Sequence, residues 1–121
     1  MTSLPPTARE LSQRIAAGKA RATDAVAACL AAIDRRDADL GAYLHVDRDS
    51  ALARAAEIDR TAAKGGAGGR LCGVPVAVKD NICATGCPTT CGSRILEGFV
   101  PPFDAHVVQR IREEGGVVLG K

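Results

Sequence analysis

The stretch that most restricts how this chain can fold is Leu71–Asn81, Leu-Cys-Gly-Val-Pro-Val-Ala-Val-Lys-Asp-Asn, an apolar run that stops at a lysine. From Pro75 to Val78 its composition is that of a short strand buried on both faces rather than one wetted at alternate positions. Pro75 fits only at the start, because a proline inside a central strand deletes a ladder hydrogen bond. A second run, Val117-Val118-Leu119, comes after a segment of helical period. Strand, helix, strand in that order predicts a parallel crossover, whose sheet is covered by helices on both faces. Lys79 then sits at a strand end, partly withdrawn from water. Desolvation disfavours the ammonium form, the condition under which a lysine works as a base. On the local pattern alone, the ordinary alternative is a lysine whose head reaches back to solvent.

The rest of the chain supplies the cover. Thr7-Ala8-Arg9-Glu10 is a capping box that opens a short helix burying Leu11 and Ile15 and stopping at Gly18. A second helix is predicted from about Thr23 and Asp24, with Val26, Leu30 and Ile33 down one face, followed by a polar turn at Asp37–Gly41. Ala42–Val46 reads as a short strand. Asp47 caps a third helix from Arg48 to about Ala63 that buries Ala51, Leu52, Ala55 and Ile58. The glycine-rich Gly65–Arg70 reads as a mobile surface loop. Beyond Asn81, Ile82–Gly92 is expected to be an irregular loop walling the lysine. Ser93 caps a turn over Arg94–Glu97, Val100–Phe103 is extended because of its prolines, and Asp104 caps a helix with Ala105, Val107, Val108 and Ile111 on its apolar face. That helix closes at Gly115-Gly116.

Composition narrows the function. Of the 121 residues, 46% are hydrophobic but only two are Phe, one is Tyr and none is Trp, so Ala, Val, Leu and Ile must build the core. The formal charge of +2 is spread along the chain, which gives no electrostatic footprint for nucleic acid. No apolar run approaches the ~20 residues that cross a bilayer. The start, Met1–Pro6, has neither a basic nor an apolar leader region, so no export signal is read there. Five cysteines, an odd number, then argue for free thiols in a reducing cytosol.

Four other features invite chemistry. Cys72, Cys83, Cys87 and Cys91 supply enough soft ligands for tetrahedral zinc, but Cys72 and Cys83 do not form the tight pair that structural zinc sites use. Gly115-x-x-x-x-Gly120-Lys121 imitates a phosphate loop, yet strand formers lie between its glycines and the order of helix and strand is wrong for one. His45 has no second His, Cys or carboxylate at a useful local spacing and reads as structural. Ser93 lacks the surroundings of a nucleophile elbow.

The residues Gly73–Asn81, Thr89-Thr90-Cys91-Gly92-Ser93, Leu96–Val108 and Gly120-Lys121 together resemble the amidase signature family. Within it they are most similar to the branch of glutamine-dependent tRNA amidotransferases, in their A-type subunits. The resemblance implies an α/β/α sandwich with a mixed central sheet, of which residues 1–121 form the N-terminal portion of a single domain: a helical layer over about 7–64 and the first core strands and lysine loop over about 71–121. It implies a Ser-Ser-Lys triad with Lys79 as general base, both serines lying in a Gly/Ser-rich segment further along the family pattern. Asp80 and Asn81 are candidates to orient the lysine through hydrogen bonds. The implied activity is hydrolysis of glutamine. The ammonia serves a partner protein, which amidates misacylated Glu-tRNA(Gln) or Asp-tRNA(Asn). The implied partners are B- and C-type subunits, with ATP and Mg at one of them and no cofactor in this chain. The residues leave two other readings open: a stand-alone amidase acting on another amide, and a non-catalytic truncated module that pairs its open strand edges with a partner. The 121 residues alone are expected to be inactive, because a base without a nucleophile has nothing to activate.

Overall fold

In the computed structural model, which describes residues 6–66 and 68–121, the capping box forms as its sequence predicts. The Thr7 hydroxyl accepts from the Glu10 amide, and the Glu10 carboxylate accepts from the Thr7 amide. Helix α1 spans Ala8–Ala16 and buries Ile15. Ser12 is buried as well and donates its hydroxyl to the Arg70 carbonyl at 2.9 Å, which ties α1 to the approach of the lysine run.

Helix α2, Ala22–Leu40, begins earlier and ends later than its pattern predicts. At the start, Arg21 makes no side-chain cap. The Asp59 carboxylate, on helix α3 (Arg48–Ala63), accepts instead from the Ala22 amide at 2.7 Å and from the Thr23 amide and hydroxyl at 3.2 and 2.7 Å. At the end, the expected polar turn at Asp37–Gly41 is the last turn of the helix. Gly41 closes it in the left-handed region (φ 62°), and the Asp37 carboxylate accepts from the Ala42 and Tyr43 amides. Helix α3 starts where expected, with Asp47 accepting from the Ser50 amide.

Strands β1 (Pro75–Ala77) and β2 (Val117–Gly120) pair in parallel, with Pro75 opposite Val117 and Val76 opposite Val118. The connection holds a 3-10 turn at Arg94–Leu96, capped by Ser93 as predicted, and helix α4, His106–Glu113. This is the α/β crossover that the order of elements implies. Asp104 does not cap α4: Ala105 holds that position. Asp104 accepts instead from the Thr85 amide and hydroxyl at 2.7 and 2.9 Å and pairs with Arg112 at 3.2 Å, so it fastens the lysine loop to α4. The strand expected at Ala42–Val46 reduces to one antiparallel bridge, Val46 to Gly120, because helix caps at Asp37 and Asp47 hold both of its ends.

Successive residues of β2 point to opposite faces and join two cores. Val117 and Leu119 pack with Ile15, Val26, Leu30 and Ala55 of the three leading helices, while Val118 lies against Val78, Ala84, Cys87 and Val108. Each fully buried Ile, Leu or Val here contributes about 1.5–3 kcal/mol. Strand β1 departs from the expectation of burial on both faces: Pro75 and Val76 are half-buried and Ala77 is exposed. It has a neighbour, β2, along only one edge among the described residues. The expected mobile loop is docked at its far end, where the Arg70 amide donates to Glu114 at 2.8 Å. Ala67 within it, and the leader-free reading of residues 1–5, lie outside the described residues. Among the described residues no helix is long and apolar enough to cross a membrane.

Candidate active site

Lys79 comes directly after a fixed point. The Val78 side chain is buried in the second core, and its amide donates to the Gly120 carbonyl at 3.1 Å, so the backbone leading into Lys79 is anchored to β2. The Ile82 amide then donates to the Lys79 carbonyl at 3.0 Å and turns the chain. The Lys79 side chain itself is exposed and has no hydrogen-bond or ion-pair partner among the described residues. This corrects the expectation that neighbouring apolar residues withdraw it from water: Val78 turns inward, but beside the half-open β1 nothing within the described residues covers the lysine.

Asp80 organises the loop beyond the lysine. One carboxylate oxygen accepts from the Thr90 amide at 3.2 Å, from the Thr90 hydroxyl and from the Gly92 amide at 3.4 Å, while its backbone carbonyl accepts from the Cys91 amide at 3.2 Å. Cys91 takes a left-handed backbone (φ 52°), uncommon for a residue with a side chain, inside this knot. Burial alone pushes the Asp80 carboxyl up. The Thr90 hydroxyl, the Gly92 and Thr90 amides and the Lys121 ammonium outweigh it and hold the group below the ordinary aspartate value of 3.8. Asn81 is exposed and forms no hydrogen bond among the described residues. Neither residue bonds the Lys79 side chain. Asp80 acts on the loop, not on the amine.

Sequence reasoning names Lys121 in a phosphate-loop imitation and in the family pattern but gives it no role. Its side chain is fully buried (0% exposed) and its Nζ donates to the Ile82 carbonyl at 2.6 Å and to the Thr89 hydroxyl at 2.8 Å, with the other Asp80 carboxylate oxygen at 3.7 Å. The Thr89 amide in turn donates to the Phe99 carbonyl at 2.8 Å. The backbone of Lys121 is equally tied, its amide donating to His45 at 2.8 Å and its carbonyl accepting from Leu44 at 2.7 Å. His45 thus serves through its backbone. Gly120 permits this approach: a Cβ there would lie 2.1 Å from the His45 carbonyl oxygen. Val117–Gly120 is strand, so the phosphate-loop imitation has no loop behind it.

The cysteines do not converge. Cys72 packs in the first core and Cys87 in the second, on opposite faces of the sheet, and all five are free thiols. Among the described residues, no three His, Cys, Asp or Glu stand together as a metal site. Burial pushes the Cys87 thiol up, and Asp47 beside it adds to the effect.

The Amidase family profile matches residues 24–121. The A subunit of the glutamyl-tRNA(Gln) amidotransferase of Acidothermus cellulolyticus is 49% identical over 95% of this chain and 23% of its own length, and that of Streptomyces coelicolor is 45% identical over the same shares. Among solved structures, a peptide amidase bound to the competitive inhibitor chymostatin superposes with a TM-score of 0.89 at 39% identity, over 98% of this chain and 24% of that one. The native peptide amidase of Stenotrophomonas maltophilia gives 0.86 at 40% identity over the same shares. The chain spans about a quarter of the length of these relatives.

Proposed function

The chain belongs to the amidase family, and on that footing we propose that it carries the general base, Lys79, of a glutamine amide hydrolase that supplies ammonia for tRNA-dependent amidation. The reading is supported chiefly by the family match across 24–121, which takes in β1, the lysine that succeeds it and the loop tied down by Asp80. In its neutral form a lysine amine accepts a proton from a serine hydroxyl, the Ser-Lys variant of nucleophilic catalysis, and needs no metal to do so. By the family resemblance, the two serines stand in a Gly/Ser-rich segment further along the family pattern. The names of the relatives at 45–49% identity favour the A-type component of a glutamyl-tRNA(Gln) amidotransferase. B- and C-type subunits, ATP and Mg at a partner, misacylated tRNA and a cytoplasmic setting enter this reading through the family resemblance alone.

Replacing the base tests this directly. In a full-length version carrying these residues, Lys79→Ala lowers glutaminase turnover by roughly 10²–10⁴-fold and leaves the thermal unfolding midpoint nearly unchanged. Turnover equal to the parent's removes Lys79 from the role. The similarity to peptide amidases favours a second reading, a stand-alone hydrolase of another amide. Ammonia release from glutamine that rises on adding the partner subunits and mischarged tRNA supports the first reading. Release from a peptide amide without partners supports the second.

A further inference from the structure

We propose that Lys121 is a positioning residue for the amide-hydrolysing site, its buried ammonium fixing the backbone that presents Lys79. This deepens the reading of Lys79 as base and rests on it. Withdrawing an ammonium fully from water is unfavourable unless the charge is paired and hydrogen-bonded. Lys121 Nζ donates to the Ile82 carbonyl and the Thr89 hydroxyl and has the Asp80 carboxylate as an ion-pair partner at 3.7 Å, and its side chain has no exposed surface. A buried ion pair is a poor source of net stability, since an apolar side chain of similar volume often serves as well or better. What the ammonium adds is geometry.

The geometry is specific to Lys79. Asp80 and Ile82 are the first and third residues after it, and the Ile82 amide closes a turn on the Lys79 carbonyl. Lys121 therefore grips that turn at two points, on a side chain and on a carbonyl. Through Thr89 it also holds the far end of the loop, where Asp80 has already fastened Thr90 and Gly92. The Val78 amide on the Gly120 carbonyl fixes the near end to the residue preceding Lys121. Without the ammonium, the Asp80 carboxylate loses its ion-pair partner and the Ile82 carbonyl loses its donor, so the turn loses both props. A displacement of about 1 Å at a reacting group costs up to roughly 10²-fold in rate.

The test uses a full-length version and three variants, read by kcat, KM, the pH profile of kcat and thermal unfolding. Lys121→Met keeps the length and apolar stem of the side chain and removes the charge. The expected result is a fall in kcat of roughly 10–100-fold, KM within about threefold, a displaced acid limb of the pH profile and a folded protein at the assay temperature. Thr89→Val removes one acceptor only, so that a Lys121→Met protein that fails to fold does not end the matter. It is expected to displace the same limb with a fall in kcat of roughly 3–10-fold. Lys79→Ala separates the two claims. If it is inactive while Lys121→Met and Thr89→Val keep the parent's kcat and pH profile, the positioning role is overturned and the base stands. If Lys79→Ala remains active, the base assignment fails and takes the positioning role with it. A loss in the Lys121 and Thr89 variants that only tracks their unfolded fraction, with an unmoved pH profile, also overturns the proposal.

Discussion

Asp80 divides its work between its two carboxylate oxygens, one gathering Thr90 and Gly92 and the other facing Lys121. Its folded-state pKa lies below the ordinary 3.8, so its stabilising effect is complete above that value and is lost as pH falls through the lower folded value. Acid unfolding followed by circular dichroism should therefore show Asp80→Asn less stable than the parent at neutral pH, with the difference shrinking below pH 3.8. A constant gap down to the acid transition would mean that the carboxylate charge does not stabilise the loop. The place of Lys79 at the end of an apolar run is a local signal in the sequence, while its role as base comes from the family resemblance. The burial of Lys121 is not legible there, because it depends on a carbonyl 39 residues away and a hydroxyl 32 residues away, and no short pattern records partners at that range. Thr89 and Thr90 stand in the pattern that resembles the family, but their partners Lys121 and Asp80 lie 32 and 10 residues away.

At the scale of elements, the start of α2 is held from outside itself. Asp59 on α3 takes the place of a capping side chain with three hydrogen bonds at Ala22 and Thr23. Asp59→Ala should cost about 2 kcal/mol, at the upper end for the loss of a helix cap, because it leaves two amides at a buried helix start without a partner. Chemical denaturation of the parent and the variant measures this, and a loss under about 0.5 kcal/mol would show that water replaces the carboxylate at no cost. Helices α1 and α3 can be placed from sequence because Thr7 and Asp47 lie one residue before the elements they cap. The start of α2 cannot, because its cap lies 37 residues downstream. Composition gives the cap of α4 to Asp104, whereas Thr85 and Arg112 compete for that carboxylate and win it.

For the molecule as a whole, the two cores are closed around β2, while β1 has one free edge among the described residues and Ile95 (93%), Phe103 (58%) and Phe99 (43%) stand exposed. Apolar groups and an open strand edge of this kind promote association. Residues 1–121 produced alone should elute from size exclusion earlier as concentration rises, and Ile95→Ser with Phe103→Ser should reduce the effect. Elution as a monomer at every concentration would show that this surface is content in water. The crossover topology is legible because the order of apolar runs and amphipathic segments constrains it. The exposure of Lys79 is the ordinary alternative of its local pattern; the withdrawal from water expected in its place depends on what neighbours the strand edge, a property of the assembled sheet. The grip of Lys121 on Ile82, 39 residues earlier, has one further consequence during synthesis. As the nascent polypeptide leaves the ribosome, the segment around Lys79 emerges well before its clasp. It must wait, unsettled, until codon 121 has been read and β2 has found its place, so the site's geometry is among the last things this part of the chain acquires.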